Sequence, residues 1–411
     1  MPTFTADWVV PISGPPIRHG SITVAGDRVT AVGERHRDAV PLGSVAIVPA
    51  LVNAHTHLEL SYLHGRVPPG TSFNDWAMAL ITLRRELTDH GDAPLIDAAR
   101  AAIAAARAGG TGLIGDVGNT LISVPLLRDA AMPAHVFHEL LGFNQPDAAA
   151  LVREARARMD SGAASGTDVR VSLAPHAPYS VSPRLFAAIR ADLEEHGPTV
   201  TSLHLGESAA EVEFLRHGTG PTRVMLERLG VWTDEWRAPG MSPTEYASAM
   251  GFLGPDVLVV HGVQFTREDL ARVAEAGSVL VSCPRSNTYV GAGSPPLESF
   301  YSAGVPVAFG TDSLASVADL DMFAELAEAR RIAPAVSARN LLRSATLIGA
   351  RALRRDDDFG SIEVGKRASL LAVRVPPDVD DVEEYLVRGV EPGAVTWLDA
   401  RSTAGTAASA P

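Results

Sequence analysis

Residues 266–283 read TREDLARVAEAGSVLVSC, and the two halves of this stretch require different backbones. Thr266 stands where a hydroxyl caps a helix, and Asp269, three residues on, can return a carboxylate to the cap amide. Leu270, Val273 and Ala274 fall on one helical face. Gly277 supplies the left-handed residue that ends a helix, and SVLVSC then runs apolar, as a strand covered on both faces does. The stretch 182–208, SPRLFAAIRADLEEHGPTVTSLHLGES, repeats this logic. Ser182 caps, Pro183 takes the first helical position, Gly197 stops the helix, and 199–205 reads as the strand.

Working outward, strands of this kind fall near 47–57, 111–116, 134–139, 169–175, 199–205, 257–262, 278–283 and 305–311. Apolar strands separated by helical segments pair in parallel through crossovers. Eight of them make a (β/α)8 TIM-like barrel the expectation for residues 49–358. The flanks differ. Residues 1–48 (SITVAGDRVTAVG) and 359–400 (GSIEVGKRASLLAVRV, GAVTWLDA) hold short strands broken by Gly and Pro. They are expected to form one small β-sandwich domain from both chain ends. The tail RSTAGTAASAP, 401–411, has no apolar pattern and is expected to be disordered.

The chain has 411 residues, 46% hydrophobic and 20% charged, which describes a globular protein with a sizeable core. A net charge of −13 argues against nucleic-acid partners, because phosphate binding needs a basic footprint. A single cysteine, Cys283, excludes an internal disulfide framework and suits a reducing compartment. No signal-peptide pattern opens the sequence, and no apolar run reaches the ~18 residues of a membrane helix. The expectation is a cytoplasmic protein without a membrane partner. Lys366 is the only lysine, which removes Schiff-base chemistry and a carbamylated-lysine metal bridge unless Lys366 itself serves.

In VNAHTHLELS, 52–61, His55 and His57 project from one face of a strand while Thr56 projects from the other. Such a pair is either half of a metal site or an incidental strand end. The remaining candidates lie at the C-terminal ends of other strands, the catalytic face of a barrel: His204 and Glu207 in HLGES, His261 in VLVVHG, and Asp312 in VAFGTDS. Each could alone be a satisfied buried polar group, and for a lone histidine after an apolar run that is the better reading. Together they suit a catalytic divalent ion with an open position for water. Two long connections, 58–92 with Phe73 and Trp76 and 208–256 with Trp232, Trp236 and Tyr246, bring aromatics that either stack on a substrate or pin the loop. GSIEVGK fails as a phosphate loop because Arg367 stands where Ser or Thr is needed. Asp116 reads as structural.

PALVNAHTHLE, APHAPYSVSP, HLGES, HGV, SCPRSN, FGTDS and GSIEVGKRASLL together resemble the amidohydrolase superfamily, in its cytosine deaminase/chlorohydrolase-like branch. The resemblance implies His55, His57, His204 and Asp312 as ligands of one metal ion, Zn2+ first, with Fe2+ or Mn2+ as alternatives. It implies Glu207 as a proton shuttle and His261 beside the attacking water or leaving group, with Asp312 sharing the proton. His176 in the fourth-strand motif resembles a substrate-contacting histidine. HTHLELS and the aromatic connection after it are most similar to the 6-aminodeoxyfutalosine deaminases of menaquinone biosynthesis. That implies a small nucleoside-like substrate bearing a carboxyphenyl group, with ammonia released. Glu59 and Trp76 are then expected to face substrate, Glu59 by continuing the strand face of His57. Arg84, Arg85 and Arg285 are the arginines considered for the carboxylate, whose two oxygens a guanidinium fork fits. The rival readings are an adenosylhomocysteine- or guanine-type deaminase, a triazine chlorohydrolase-like enzyme, and a non-catalytic scaffold. A homo-oligomer is compatible with all of them.

Overall fold

The structure, a computed structural model, describes residues 1–34, 36, 38–87, 93–162, 168–391 and 393–398. The tail 401–411, expected to be disordered, lies outside the described residues. The chain divides into two compact units. One comprises Met1–Asn53, Ala106–Leu113 and the chain from Asp321 onward; the other comprises Ala54–Ala105 and Ile114–Leu320.

The first unit holds two sheets. Strands Arg28–Gly33, Ser21–Ala25, Thr3–Thr5 and Val40–Pro41 form one, in that order. Val395–Trp397, Leu370–Arg374, Val45–Pro49, Trp8–Val9 and Ile17–Arg18 form the other. Phe4, Val9, Ile22, Ile47 and Leu370 are buried in their shared core. Lys366 pairs here with Glu363 (3.1 Å) and donates to Ser361 Oγ (2.7 Å).

Eight parallel strands build the barrel: β1 (Leu51–Thr56), β2 (Thr111–Gly118), β3 (Ala134–Leu140), β4 (Val169–Pro175), β5 (Thr201–Leu205), β6 (Val257–His261), β7 (Val279–Ser282) and β8 (Val307–Phe309). They pair as two half-barrels in sequence order, β1 to β4 and β5 to β8. The seam between β4 and β5 is stitched by Ser172 Oγ to Val200 O (2.6 Å) and Thr201 Oγ1 to Leu173 O (2.8 Å). The ends of β1 and β8 meet where Thr56 bridges Asp312 and Asp312 N donates to His55 O (3.1 Å). Phe137, Leu173, Leu203, Val259, Leu280 and Phe309 are fully buried along these strands.

The first expected strand, 47–57, proves to be two. Val45–Pro49 joins the terminal sheet, and β1 starts only at Leu51. Pro49 has no amide hydrogen for a continuing ladder, and Ala50 donates instead to Ser369 O (2.8 Å). The helix Arg267–Ala276 forms as its sequence requires, with Thr266 and Asp269 in a reciprocal capping box and Gly277 left-handed at φ 72°. Among the described residues, no helix is long and apolar enough to cross a membrane.

Candidate active site

His55 closes β1 and is buried, and His57 follows immediately past the strand end. Thr56 turns away and donates through Oγ1 to Asp312 O (2.7 Å). The turn after His57 is fixed from β2, where Asp116 Oδ1 accepts from Leu58 N (2.8 Å). Burial raises the Asp116 carboxyl to about 7, against the hydrogen bonds from Ser123 and Leu58.

Across the barrel mouth, His204 Nε2 from β5 lies 3.4 Å from His57 Nε2. Asp312, just beyond β8, places Oδ1 3.5 Å from His57 Nε2 and 3.9 Å from His55 Nε2. Ser286 Oγ donates to Asp312 Oδ2 (2.6 Å) and orients the carboxylate. Neither ring nitrogen of buried His55 has a hydrogen-bond partner among the described residues, an expensive arrangement unless an ion takes one of them. Tetrahedral coordination with bonds of ~2.0–2.1 Å separates ligand atoms by roughly 3.3–3.4 Å, close to the His57–His204 spacing. Burial and the neighbouring imidazoles hold His55 well below the ordinary histidine value, and burial with His176 takes His204 to about 4. Neutral imidazole is the form that ligates. The donor set therefore fits a divalent cation.

A second cluster with ligand geometry, Glu139, His176 and His204, shares His204. Nδ1 of that ring is already directed to His176 O (3.0 Å), so Nε2 is the nitrogen available, and it faces His55 and His57.

Glu207 and His261 stand beside this cluster, with Glu207 Oε1 3.6 Å from His261 Nε2. Asn287 Nδ2 donates to His261 Nδ1 (2.9 Å), leaving the hydrogen of a neutral ring on Nε2, toward Glu207. Burial, then Asp312 and Glu211, push the Glu207 carboxyl well above its ordinary value. Glu211 in turn accepts from Gly206 N (2.9 Å) and Glu207 N (3.1 Å), holding the turn after β5. His261 (φ 79°) and Asp312 (φ 61°) both adopt left-handed backbone. That conformation costs a non-glycine residue ~1–3 kcal/mol and collects at functional sites. Ser286 and Asn287 were missed as site residues, although SCPRSN sets two polar side chains directly after an apolar strand.

A cavity of about 610 Å³ opens onto these groups. Its polar end carries His57, His204, His261, Glu207 and Asp312, with Glu139 and His176 beside them. Its outer wall is apolar: Phe73, Trp76, Leu80, Phe143, Tyr179 and Leu229.

The profile of the amidohydrolase family matches residues 46–392. The chain belongs to the amidohydrolase family. It is thus a hydrolase acting on carbon–nitrogen bonds. It is 30% identical over 364 residues to an aminodeoxyfutalosine deaminase from Deinococcus radiodurans, covering 81% of each chain. It is 28% identical over 407 residues to a 5-methylthioadenosine/S-adenosylhomocysteine deaminase from Moorella thermoacetica, covering 93% of this chain and 89% of the relative. A zinc-bound adenosine deaminase from Xanthomonas campestris superposes with a TM-score of 0.78 at 26% identity, over 96% of this chain and 90% of that one.

In this amidohydrolase the remaining expected site residues separate. Trp76 and His176 both border the cavity, and Ser180 Oγ bonds His176 Nδ1 (2.6 Å). Glu59 also borders it, but the premise of a continuing strand face is corrected: β1 ends at Thr56, and Leu58–Leu63 forms a tight helical turn. Glu59 Oε2 accepts from Asn119 N (3.0 Å), Thr120 N (3.1 Å) and Thr120 Oγ1 (2.8 Å), while Oε1 pairs with Arg84 Nη2 (2.8 Å). Its oxygens are committed to protein donors. Arg84 is correspondingly tied to Glu59 and to Asn119 Oδ1 (3.0 Å), and Arg285 to Asp319 (2.8 Å) outside the cavity lining. Arg85 lines the cavity with no ion pair among the described residues. Trp232 and Trp236 pin their connection rather than line the cavity. Trp236 stacks on Phe214 at 4.3 Å and Trp232 packs on Phe143 at 5.7 Å. Tyr246 packs edge-on against Phe186.

Proposed function

We propose that this amidohydrolase is a deaminase of adenine-type nucleosides that uses one divalent ion, zinc first and Fe2+ or Mn2+ as alternatives, and that its substrate is 6-aminodeoxyfutalosine, a step of menaquinone biosynthesis. The observation that carries this reading is the two-part cavity. A polar end able to act on an aminopurine continues into an apolar wall, and Arg85, which has no ion pair among the described residues, belongs to the lining. A carboxyphenyl substituent on the ribose suits that wall, and a guanidinium fork suits its carboxylate. The Deinococcus relative's name supports the same substrate.

His55, His57, His204 and Asp312 would hold the ion. A divalent ion bound there supplies the Lewis acidity that makes water nucleophilic near neutral pH. Asp312 Oδ1, beside His57 and opposite the oxygen anchored by Ser286, accepts the proton released as water adds to the amino-bearing carbon. Glu207, whose carboxyl burial pushes well above its ordinary value, delivers a proton to the adjacent ring nitrogen, so negative charge never builds there. His261, oriented by Asn287, directs its Nε2 hydrogen toward the reacting carbon's substituents. On collapse Asp312 returns its proton to the amino group, the carbon–nitrogen bond breaks and ammonia leaves, while the hydroxyl proton passes to Glu207 and a ring carbonyl remains. His176 and Trp76, which line the cavity, are the residues that would contact the base and its substituent.

The Moorella relative motivates a second reading, methylthioadenosine, whose 5′ methylthio group is apolar, or adenosylhomocysteine, whose 5′ thioether ends in a charged amino acid. Ammonia release from aminodeoxyfutalosine, methylthioadenosine, adenosylhomocysteine and adenosine separates the two. The first is expected to show the highest kcat/KM. Equal turnover of all four would sink the substrate assignment while leaving the deaminase.

A further inference from the structure

Glu139, at the end of β3, is a buried carboxylate beside the metal cluster to which none of the foregoing chemistry gives a task. Its Oε2 accepts from Asn119 Nδ2 (3.1 Å). Its Oε1 is buried without a hydrogen bond and lies 3.4 Å from His204 Nδ1. A buried carboxylate oxygen without a donor is costly, so its position calls for a compensating interaction. With Nε2 given to a metal, the His204 ring keeps one hydrogen, on Nδ1. That hydrogen faces two acceptors, His176 O at 3.0 Å and Glu139 Oε1 at 3.4 Å.

We infer that Glu139 is a positioning residue for the metal ligand His204, sharing its Nδ1 hydrogen with His176 O and raising the basicity of the ring. Partners of this kind fix the tautomer and the ring plane of a ligating histidine. Glu139 is itself held in place. Asn119 Oδ1 accepts from Arg84 Nη1 (3.0 Å), and Asn119 Nδ2 also donates to Glu139 O (3.1 Å), so the amide cannot turn over. Arg84 belongs to the helix Phe73–Leu87, whose Phe73, Trp76 and Leu80 line the apolar wall. A hydrogen-bonded path thus joins the cavity-lining helix to His204 through Arg84, Asn119 and Glu139.

The fixed orientation of Asn119 makes Glu139→Gln a directed test. The glutamine must offer its oxygen to Asn119 Nδ2, which turns its NH2 toward His204 Nδ1, donor against donor. The inference rests on metal binding by His204, and its readouts need no substrate. Zn2+ affinity is measured by chelator competition, and ligand geometry by the visible spectrum of the Co2+-substituted protein. E139Q is expected to bind Zn2+ ~10–100-fold more weakly, to shift the Co2+ spectrum, and to lower kcat with KM little changed. Glu139→Asp, which keeps the charge but withdraws it by one methylene, is expected to fall between the two and serves if E139Q does not fold. Unchanged affinity and spectrum in the variants overturn the inference, and a raised KM alone would instead make Glu139 a substrate contact. A wild-type protein that takes up no divalent metal overturns the metal reading itself, a result distinct from either.

Discussion

His57 Nε2 and His204 Nε2 face each other across the barrel mouth at 3.4 Å, one from the end of β1 and one from β5, 147 residues apart in sequence. Without a cation the two nitrogens make at most one long hydrogen bond, in which one ring must donate; a cation between them would take a lone pair from each. Protein stripped with a strong chelator is therefore expected to lose deaminase activity, and one equivalent of Zn2+ should restore it. His57→Ala and His204→Ala are expected to hold less than one ion and to resist restoration. Full activity after verified metal removal would end the metal reading.

Glu207 carries the second prediction. Burial pushes its carboxyl well above the ordinary value, and Glu207→Gln preserves shape while removing the transferable proton. A positioned proton donor contributes ~10²–10⁴-fold, so kcat should fall by that order while bound metal, read by elemental analysis, stays at the wild-type level. Loss of metal in this variant would move Glu207 from proton transfer to scaffold.

Arg85 tests the substrate. Arg85→Met keeps the stem and deletes the fork. If Arg85 holds a substrate carboxylate, the lost hydrogen bonds to a charged group are worth ~1.5–3 kcal/mol, roughly 10–100-fold in kcat/KM. The loss should appear with aminodeoxyfutalosine and be absent with adenosine, which lacks the carboxylate. An equal loss on both would assign Arg85 to the helix rather than to the ligand.

The gathering of His55, His204, His261 and Asp312 at the barrel mouth was legible because each follows an apolar run whose length fixes where a barrel strand ends. Thr266 and Gly277 mark their helix for a similarly local reason, since cap chemistry is settled within four residues. Glu59 was not legible. Its position depends on Asp116, 58 residues away, capturing Leu58 N and turning the chain out of the strand. Glu139 reads in HVFHEL as one more strand residue, and only the pairing of β3 with β2 and β4 brings it to Asn119 and His204. The split at Pro49 was visible in VAIVPAL but was overridden by the apolar continuity around it. Local chemistry was therefore readable, and side chains whose partners come from distant strands were not.

Asp269 offers a stability test remote from the metal. It is buried, and burial alone would raise its carboxyl. Hydrogen bonds from Thr244 and Ser242 hydroxyls, and from Thr266 N (3.0 Å) and Oγ1 (2.8 Å), outweigh burial and hold it below the ordinary aspartate value. A carboxylate depressed in the folded state stabilises above its unfolded pKa of ~3.9, and that contribution is lost as pH falls through the folded value. Asp269→Asn should cost ~1.5–3 kcal/mol in denaturant unfolding at about pH 7, because an amide accepts fewer of these bonds and accepts them more weakly. The gap between variant and wild type should narrow as pH falls from about 5 toward 3, since only the wild type has a charge to lose. A gap that stays constant over that range would mean the ionised form of Asp269 adds nothing to the fold.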